Sequence, residues 1–361
     1  MRAVVYRGVN DLRVETVPVP RIKSDELLVK VAACGVCPTD IKKIQYGTVP
    51  PPRIFGHETA GTISRVGARL KGFRVGDRVA LHHHIPCLDC HACRHRAFAQ
   101  CAQYKLTGTT AGFEPAGGGY AEYVRVLAFA LPGVVKIPVR NSFLEGAMLE
   151  PVNTVLKAIN RLSLLPADIV LVVGQGPIGL MFTRLLALRG MNVVASDLLP
   201  ARLRRAKRFG AKFVLRADER GFRSKAMRMT RSRGLDAAVV TVPADSAVYQ
   251  AQELTRGAGQ VLLFAHTRRG VSTQLDLSTV CVEEKDLIGS YSSDFALQNE
   301  VAKLVFGRIV DVRGLISHQF PLGQTQDAIR LAARPVTGSM KIVVAPAEGQ
   351  VICEDSVCET T

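Results

Sequence analysis

The chain has 361 residues, enough by length for two domains or one large one, and its 47% hydrophobic and 22% charged residues exclude a disordered or fibrous protein. Its net charge of +16 brings anionic partners into consideration. No apolar run reaches the ~20 residues of a membrane span, and the N-terminus lacks the apolar core and cleavage site of a signal peptide, so a cytoplasmic protein without a membrane partner is expected.

The first ~150 residues read as short strands, among them 27–33 (LLVKVAA), 58–67 (ETAGTISRVG) and 76–81 (GDRVAL), punctuated by Pro- and Gly-rich turns. The texture changes near residue 152. A helical pattern (VNTVLKAINRLSL) leads to a buried strand at 168–174 and a helix closing at Gly190. A strand at 192–197, the helix LPARLRRAKRFG and further strands at 237–242 and 260–265 follow. Strands alternating with helices predict an α/β fold with a doubly wound parallel sheet. Residues 346–361 read as a loose acidic tail.

Nine cysteines, an odd number, do not suit a disulfide framework. Cys87, Cys90, Cys93 and Cys101 lie within fifteen residues, and four thiolates on one short loop can close a tetrahedron around a structural zinc. Gly174-Gln175-Gly176-Pro177-Ile178-Gly179 follows a strand and opens a helix, and Asp197 ends the next strand 18 residues after Gly179. That is the context of a dinucleotide site, with backbone amides on the pyrophosphate and Asp197 on the adenosine ribose. Asp197 would repel a 2′-phosphate, which favours NAD over NADP. Arg202 and Arg204 lie close by, and arginine accommodates such a phosphate.

Cys37, His57, Glu58 and Glu150 are scattered, and each alone suits a core or surface role. Together they supply sulfur, nitrogen and oxygen, and a catalytic zinc needs about three such ligands plus an open position.

The stretches CGVCPTD, GHETAG, GFRVGDRV, CLDCHACRHRAFAQC, GGYAEYV, MLEPVNT and VVGQGPIG occur in one order along the chain. In these, residues 1–345 resemble the zinc-containing medium-chain dehydrogenase/reductase family of alcohol, sorbitol and threonine dehydrogenases. The resemblance implies a GroES-like β-rich catalytic domain over 1–153, completed by 292–345, and an NAD-binding Rossmann domain over 154–291, with the active site in the cleft. It makes Cys37, His57 and Glu58 ligands of a catalytic zinc, with Glu150 a direct or water-mediated fourth partner. Glutamate before proline at that place is the pattern of the sorbitol, glucose and threonine branch. Thr39 matches the hydroxyl that relays the alcohol proton, Thr154 a residue lining the nicotinamide, and Asp40 a support for His57. The zinc would lower the pKa of a bound alcohol so that its alkoxide expels hydride.

Two positions depart from the family. Lys42 stands where relatives commonly have the histidine at the outer end of the proton path. Ser292 or Ser293 stands about where polyol dehydrogenases carry an arginine; His82, His83 and His84 read as a solvated or core strand end that needs no function, with a substrate contact as the alternative. Thirteen Lys/Arg crowd residues 202–233, mostly as solvated helix faces. A nucleic-acid-binding reading leaves the dinucleotide fingerprint unexplained, and a non-catalytic scaffold sits poorly with the full ligand set. The expectation is a two-zinc, NAD-linked homo-oligomer oxidising a secondary alcohol of polyol, cyclitol or sugar-like type, with a β-hydroxy amino acid such as threonine as the alternative.

Overall fold

A computed structural model of the chain describes residues 1–82, 84–104, 116–265 and 270–346. His83, Cys353, Cys358 and nearly all of the acidic tail lie outside the described residues. The chain divides into two units, Met1–Asn153 with Ser293–Thr361, and Thr154–Ser292.

The first unit begins with strands β1 (Arg2–Gly8), β2 (Asp11–Thr16) and β3 (Leu27–Gly35), helix α1 (Pro38–Tyr46), and strands β4 (Arg53–Ile54), β5 (Glu58–Val66) and β6 (Arg78–Leu81). Helix α2 (His91–Arg94), strands β7 (Tyr123–Val126) and β8 (Val134–Lys136), helix α3 (Phe143–Ala147) and the start of α4 (Leu149–Ile159) follow; from Thr154 on, α4 belongs to the second unit. Proline at its first turn and Gly47 in the left-handed region (φ 62°) bound α1. β3 is buried at most positions because it is central: β5 and β7 pair with it antiparallel, and so does a strand from the far end of the chain. Leu27, Val29, Val31, Phe55, Ile63 and Tyr120 belong to its core.

The second unit holds β9 (Ile169–Val173), α5 (Pro177–Leu188), β10 (Asn192–Asp197), α6 (Pro200–Arg208), β11 (Phe213–Arg216), α7 (Phe222–Met229) and β12 (Leu235–Val240). It continues through α8 (Asp245–Leu254), β13 (Thr255–Leu263), α9 (Leu277–Val282) and β14 (Asp286–Gly289). Its sheet is parallel throughout, in the order β11-β10-β9-β12-β13-β14. β12 is buried at every position, as a central parallel strand covered on both faces must be. The order reverses at β9, and the glycine fingerprint leaves the carboxyl end of that strand, the usual place for a ligand in such sheets.

The chain then returns to the first unit as β15 (Ile316–Pro321) and β16 (Lys341–Ala345). β16 pairs with the end of β3, matching Val343 with Gly35 and Val344 with Cys34. That pairing brings Lys341 to the loop that follows β3.

Candidate active site

The cysteine loop is built locally. Cys90 ends in extended backbone and starts the short helix α2, which turns Cys93 back towards Cys87. The Sγ atoms of Cys90 and Cys93 are 3.5 Å apart, those of Cys87 and Cys101 3.6 Å, and those of Cys87 and Cys93 3.9 Å. Zn–S bonds of about 2.3 Å in a tetrahedron place sulfurs about 3.8 Å apart, so the four fit a zinc ion, and they are far beyond disulfide length. Backbone N–H groups already aim at the sulfurs: Cys90 N donates to Cys87 Sγ and Cys87 N to Cys101 Sγ. Burial works against the Cys101 thiolate, but such donors outweigh it and lower its pKa to about 6. Burial and the Cys90 thiol push Cys93 up to about 12.

The second group is assembled from distant segments. Cys37 lies between β3 and α1, His57 precedes β5, and Glu58 opens it. One ligand atom from each lies within 4.8 Å of the others, with His57 and Glu58 buried and Cys37 half-buried. Sulfur, nitrogen and oxygen converging away from solvent suit a zinc ion with an open position. Asp40, fully buried in the first turn of α1, places Oδ1 3.2 Å from His57 Nδ1. Burial opposes charge on both. Their mutual attraction, joined by Cys37 for His57 and by Lys43 and Lys341 for Asp40, outweighs it, holding the His57 pKa well up and that of Asp40 down. Such a carboxylate fixes the ring's orientation.

Glu150 lies outside the three-ligand group, buried in the first turn of α4, and bears on the site through the charge of Lys341. Thr39 is half-buried in the first turn of α1. Lys42 is half-buried one turn on, and burial lowers its pKa while Cys37 pulls the other way.

Where the resemblance leads one to expect an arginine, the structure has a neutral network. Ser293 is fully buried and its Oγ lies 3.4 Å from His82 Nε2, while His82 Nδ1 is 3.1 Å from Gln298 Oε1. Asn153 donates to the same Oε1, so His82 donates from Nδ1 and accepts from Ser293 at Nε2. Burial lowers the His82 pKa to about 4, keeping the ring neutral. His84 stacks on Tyr104 at 4.8 Å and lies 5.6 Å from the His57 ring.

In the second unit, Gly174 takes φ 89°, and a Cβ there would strike Val242 and Thr241 at 2.5 and 2.7 Å. A Cβ on Gly179 would lie 1.8 Å from Gly174 O. Gly176 faces open space, with only Arg202 near its edge. Gly176 also caps α5 without a side-chain hydrogen bond, with Pro177 next, so the first-turn N–H groups remain for an anion. Asp197 Oδ2 accepts from Gln175 N at 2.6 Å and Oδ1 from Leu199 N at 2.9 Å, and Arg202 lies 3.8 Å from Oδ2. Thr154 and Ile178 stand at the starts of the second unit and of α5.

Residues 23–139 match the alcohol dehydrogenase GroES-like domain and residues 177–307 the zinc-binding dehydrogenase model. A sorbitol dehydrogenase of Bacillus subtilis is 30% identical over 352 residues, covering 96% of this chain and 97% of that protein. The chain belongs to the zinc-dependent medium-chain dehydrogenases. It is of the alcohol and polyol dehydrogenase type, in the sorbitol-dehydrogenase-like branch, and with the family come zinc and a nicotinamide cofactor. The galactitol-1-phosphate dehydrogenase of Escherichia coli has a TM-score of 0.83 to this dehydrogenase at 26% identity, covering 96% of this chain and 100% of that one. A zinc-binding dehydrogenase of Sinorhizobium meliloti bound to NADP has a TM-score of 0.84 at 25% identity, covering 96% and 99%. Among the described residues, no helix of the dehydrogenase is long and apolar enough to cross a membrane.

Two buried lysines of this dehydrogenase were not singled out from the sequence. Lys43 Nζ is buried without a hydrogen-bond partner among the described residues; burial lowers its pKa, and Asp40 and Cys37 act in the other direction. Lys341 Nζ donates to Glu58 Oε1 at 2.6 Å and Val36 O at 3.0 Å, and it contacts Glu58 Oε2 as well. Burial opposes its charge, but Glu58, Cys37 and Glu150 together outweigh burial and its pKa is raised.

Proposed function

We propose that this dehydrogenase oxidises a secondary alcohol of polyol, cyclitol or sugar-like class to a ketone by hydride transfer to NAD. One zinc would be held by Cys37, His57 and Glu58, with Glu150 as a direct or water-mediated fourth partner, and a second by the cysteine tetrad. The buried Cys37–His57–Glu58 group carries this reading. A zinc ion there supplies a Lewis acid that lowers the pKa of the substrate hydroxyl.

The chain's own residues do the rest. Asp40 holds Nδ1 of His57 and leaves Nε2 for the metal. Thr39 Oγ1 accepts the hydroxyl proton as it gives up its own, the part of the relay hydroxyl; with Lys42 where relatives commonly have histidine, the proton leaves by another route or the pH optimum differs. Gly174, Gly176, Pro177, Ile178 and Gly179 cradle the pyrophosphate at the start of α5, and Thr154 lines the nicotinamide. Asp197 accepts the ribose hydroxyls and disfavours a 2′-phosphate, which supports NAD even though a similar structure carries NADP. The neutral Ser293–His82 pair in place of an arginine suits an uncharged polyhydroxy substrate.

The enzyme works as a cytoplasmic homo-oligomer, without nucleic acid. Its basic stretch is partly neutralised by Arg216–Asp218, Lys225–Glu219, Arg223–Glu253 and Arg233–Asp236 pairs. The test is nicotinamide reduction by the zinc-replete protein with NAD and NADP separately, across polyols, cyclitols, sugar acids, simple alcohols and L-threonine. Turnover with NAD on a vicinal diol is expected. Turnover confined to L-threonine, or to NADP, overturns the substrate or cofactor assignment respectively.

A further inference from the structure

The Glu58 carboxylate already has a cation. Lys341 opens β16, and the pairing of β16 with β3, continued by the Val36 N–H to Ile342 O hydrogen bond of 2.9 Å, sets it against the loop that bears Cys37. Its ammonium lies between Glu58 and Val36 O, and both charged side chains are nearly closed to solvent. Gly35 makes the space: a Cβ there would lie 1.8 Å from Glu58 Oε2 and 2.9 Å from Lys341 Cε. Strand register, a glycine without a side chain and a buried ion pair therefore converge on one ligand oxygen pair.

We propose that Lys341 is a resident cation that stands in for the metal, neutralising Glu58 in the zinc-free chain and yielding the carboxylate when zinc enters. The inference rests on the open zinc site proposed above. A buried carboxylate without a partner is strongly destabilising, so Lys341 keeps the empty centre folded. The same positive charge repels an incoming dication at close range, so Lys341 also weakens zinc binding. Stability of the empty site and affinity for zinc are thus set against each other by one side chain.

The test is Lys341→Met against Lys341→Arg in the full-length protein, with two readouts besides activity: the unfolding temperature of zinc-stripped protein and the zinc affinity of the second, weaker-binding equivalent by chelator competition. Lys341→Met is expected to lower the unfolding temperature of the stripped protein, yet tighten zinc about tenfold or more. Lys341→Arg keeps the charge and stays close to wild type in both. If stripped Lys341→Met does not fold, Glu58→Gln/Lys341→Met, which removes both charges, restores the fold that either single change damages. Unchanged or weaker zinc binding in Lys341→Met, or no recovery in the double variant, overturns the role of Lys341. A wild-type chain that binds one zinc only overturns the open-site reading itself, and the inference with it.

Discussion

The cysteine tetrad and the Cys37–His57–Glu58 group both suit zinc, and they are built in opposite ways. The tetrad is local, four like donors on residues 87–101, positioned by one short helix and by N–H groups of the loop itself. With zinc, four thiolates leave a net negative charge, and the exposed Arg94 and Arg96 stand on the same loop. The second group draws unlike donors from two places in the chain, the loop after β3 and the start of β5, with a counter-ion 283 residues away. With zinc, one thiolate, one carboxylate and a neutral imidazole are balanced. The first arrangement uses metal to hold a loop; the second uses a fold to hold a metal.

Substitutions test this division directly. Cys90→Ser should give the largest effect, losing one zinc per chain and lowering the unfolding temperature by about 10 °C or more, as differential scanning calorimetry would read. Cys37→Ser should also lose one zinc, by elemental analysis, and depress turnover at least about a thousandfold, but move the unfolding temperature by only about 3 °C. If the two variants lose stability alike, the division fails. Asp40→Asn keeps the size of the side chain and removes the charge beside His57. It should weaken zinc at the open site about 10–100-fold and leave the tetrad filled, a split that chelator competition resolves. Loss of both zincs together would mean that Asp40 supports the fold at large. Asp197→Ala should have the smallest effect, lowering the preference for NAD over NADP by about tenfold with both zincs retained. An unchanged ratio would show that the carboxylate serves only Gln175 N and Leu199 N.

The same contrast explains what the sequence could tell. The parallel sheet was legible because its strands are near-continuous apolar runs between amphipathic helices, β9 and β12 being the clearest. The tetrad was legible from spacing alone, since all its geometry lies within one loop. The Cys37, His57 and Glu58 set could be gathered only through resemblance, because nothing in local spacing brings residue 37 to residue 57. Lys341 was not legible at all. A lysine opening a strand is ordinary, and only the pairing of β16 with β3 turns it inward. The Ser293–His82–Gln298 network was likewise hidden: each residue is unremarkable until the fold brings together positions more than two hundred apart.

Gly35 lies in a buried strand, at a position where a side chain would ordinarily be welcome. Since its missing carbon is what gives Glu58 and Lys341 room, even alanine there would have to displace one of the two charged groups. A chain can therefore keep every metal donor intact and still move this ion pair through one methyl group. Comparing how glycine varies at that position across related proteins would separate those able to hold the buried pair from those that merely carry its letters.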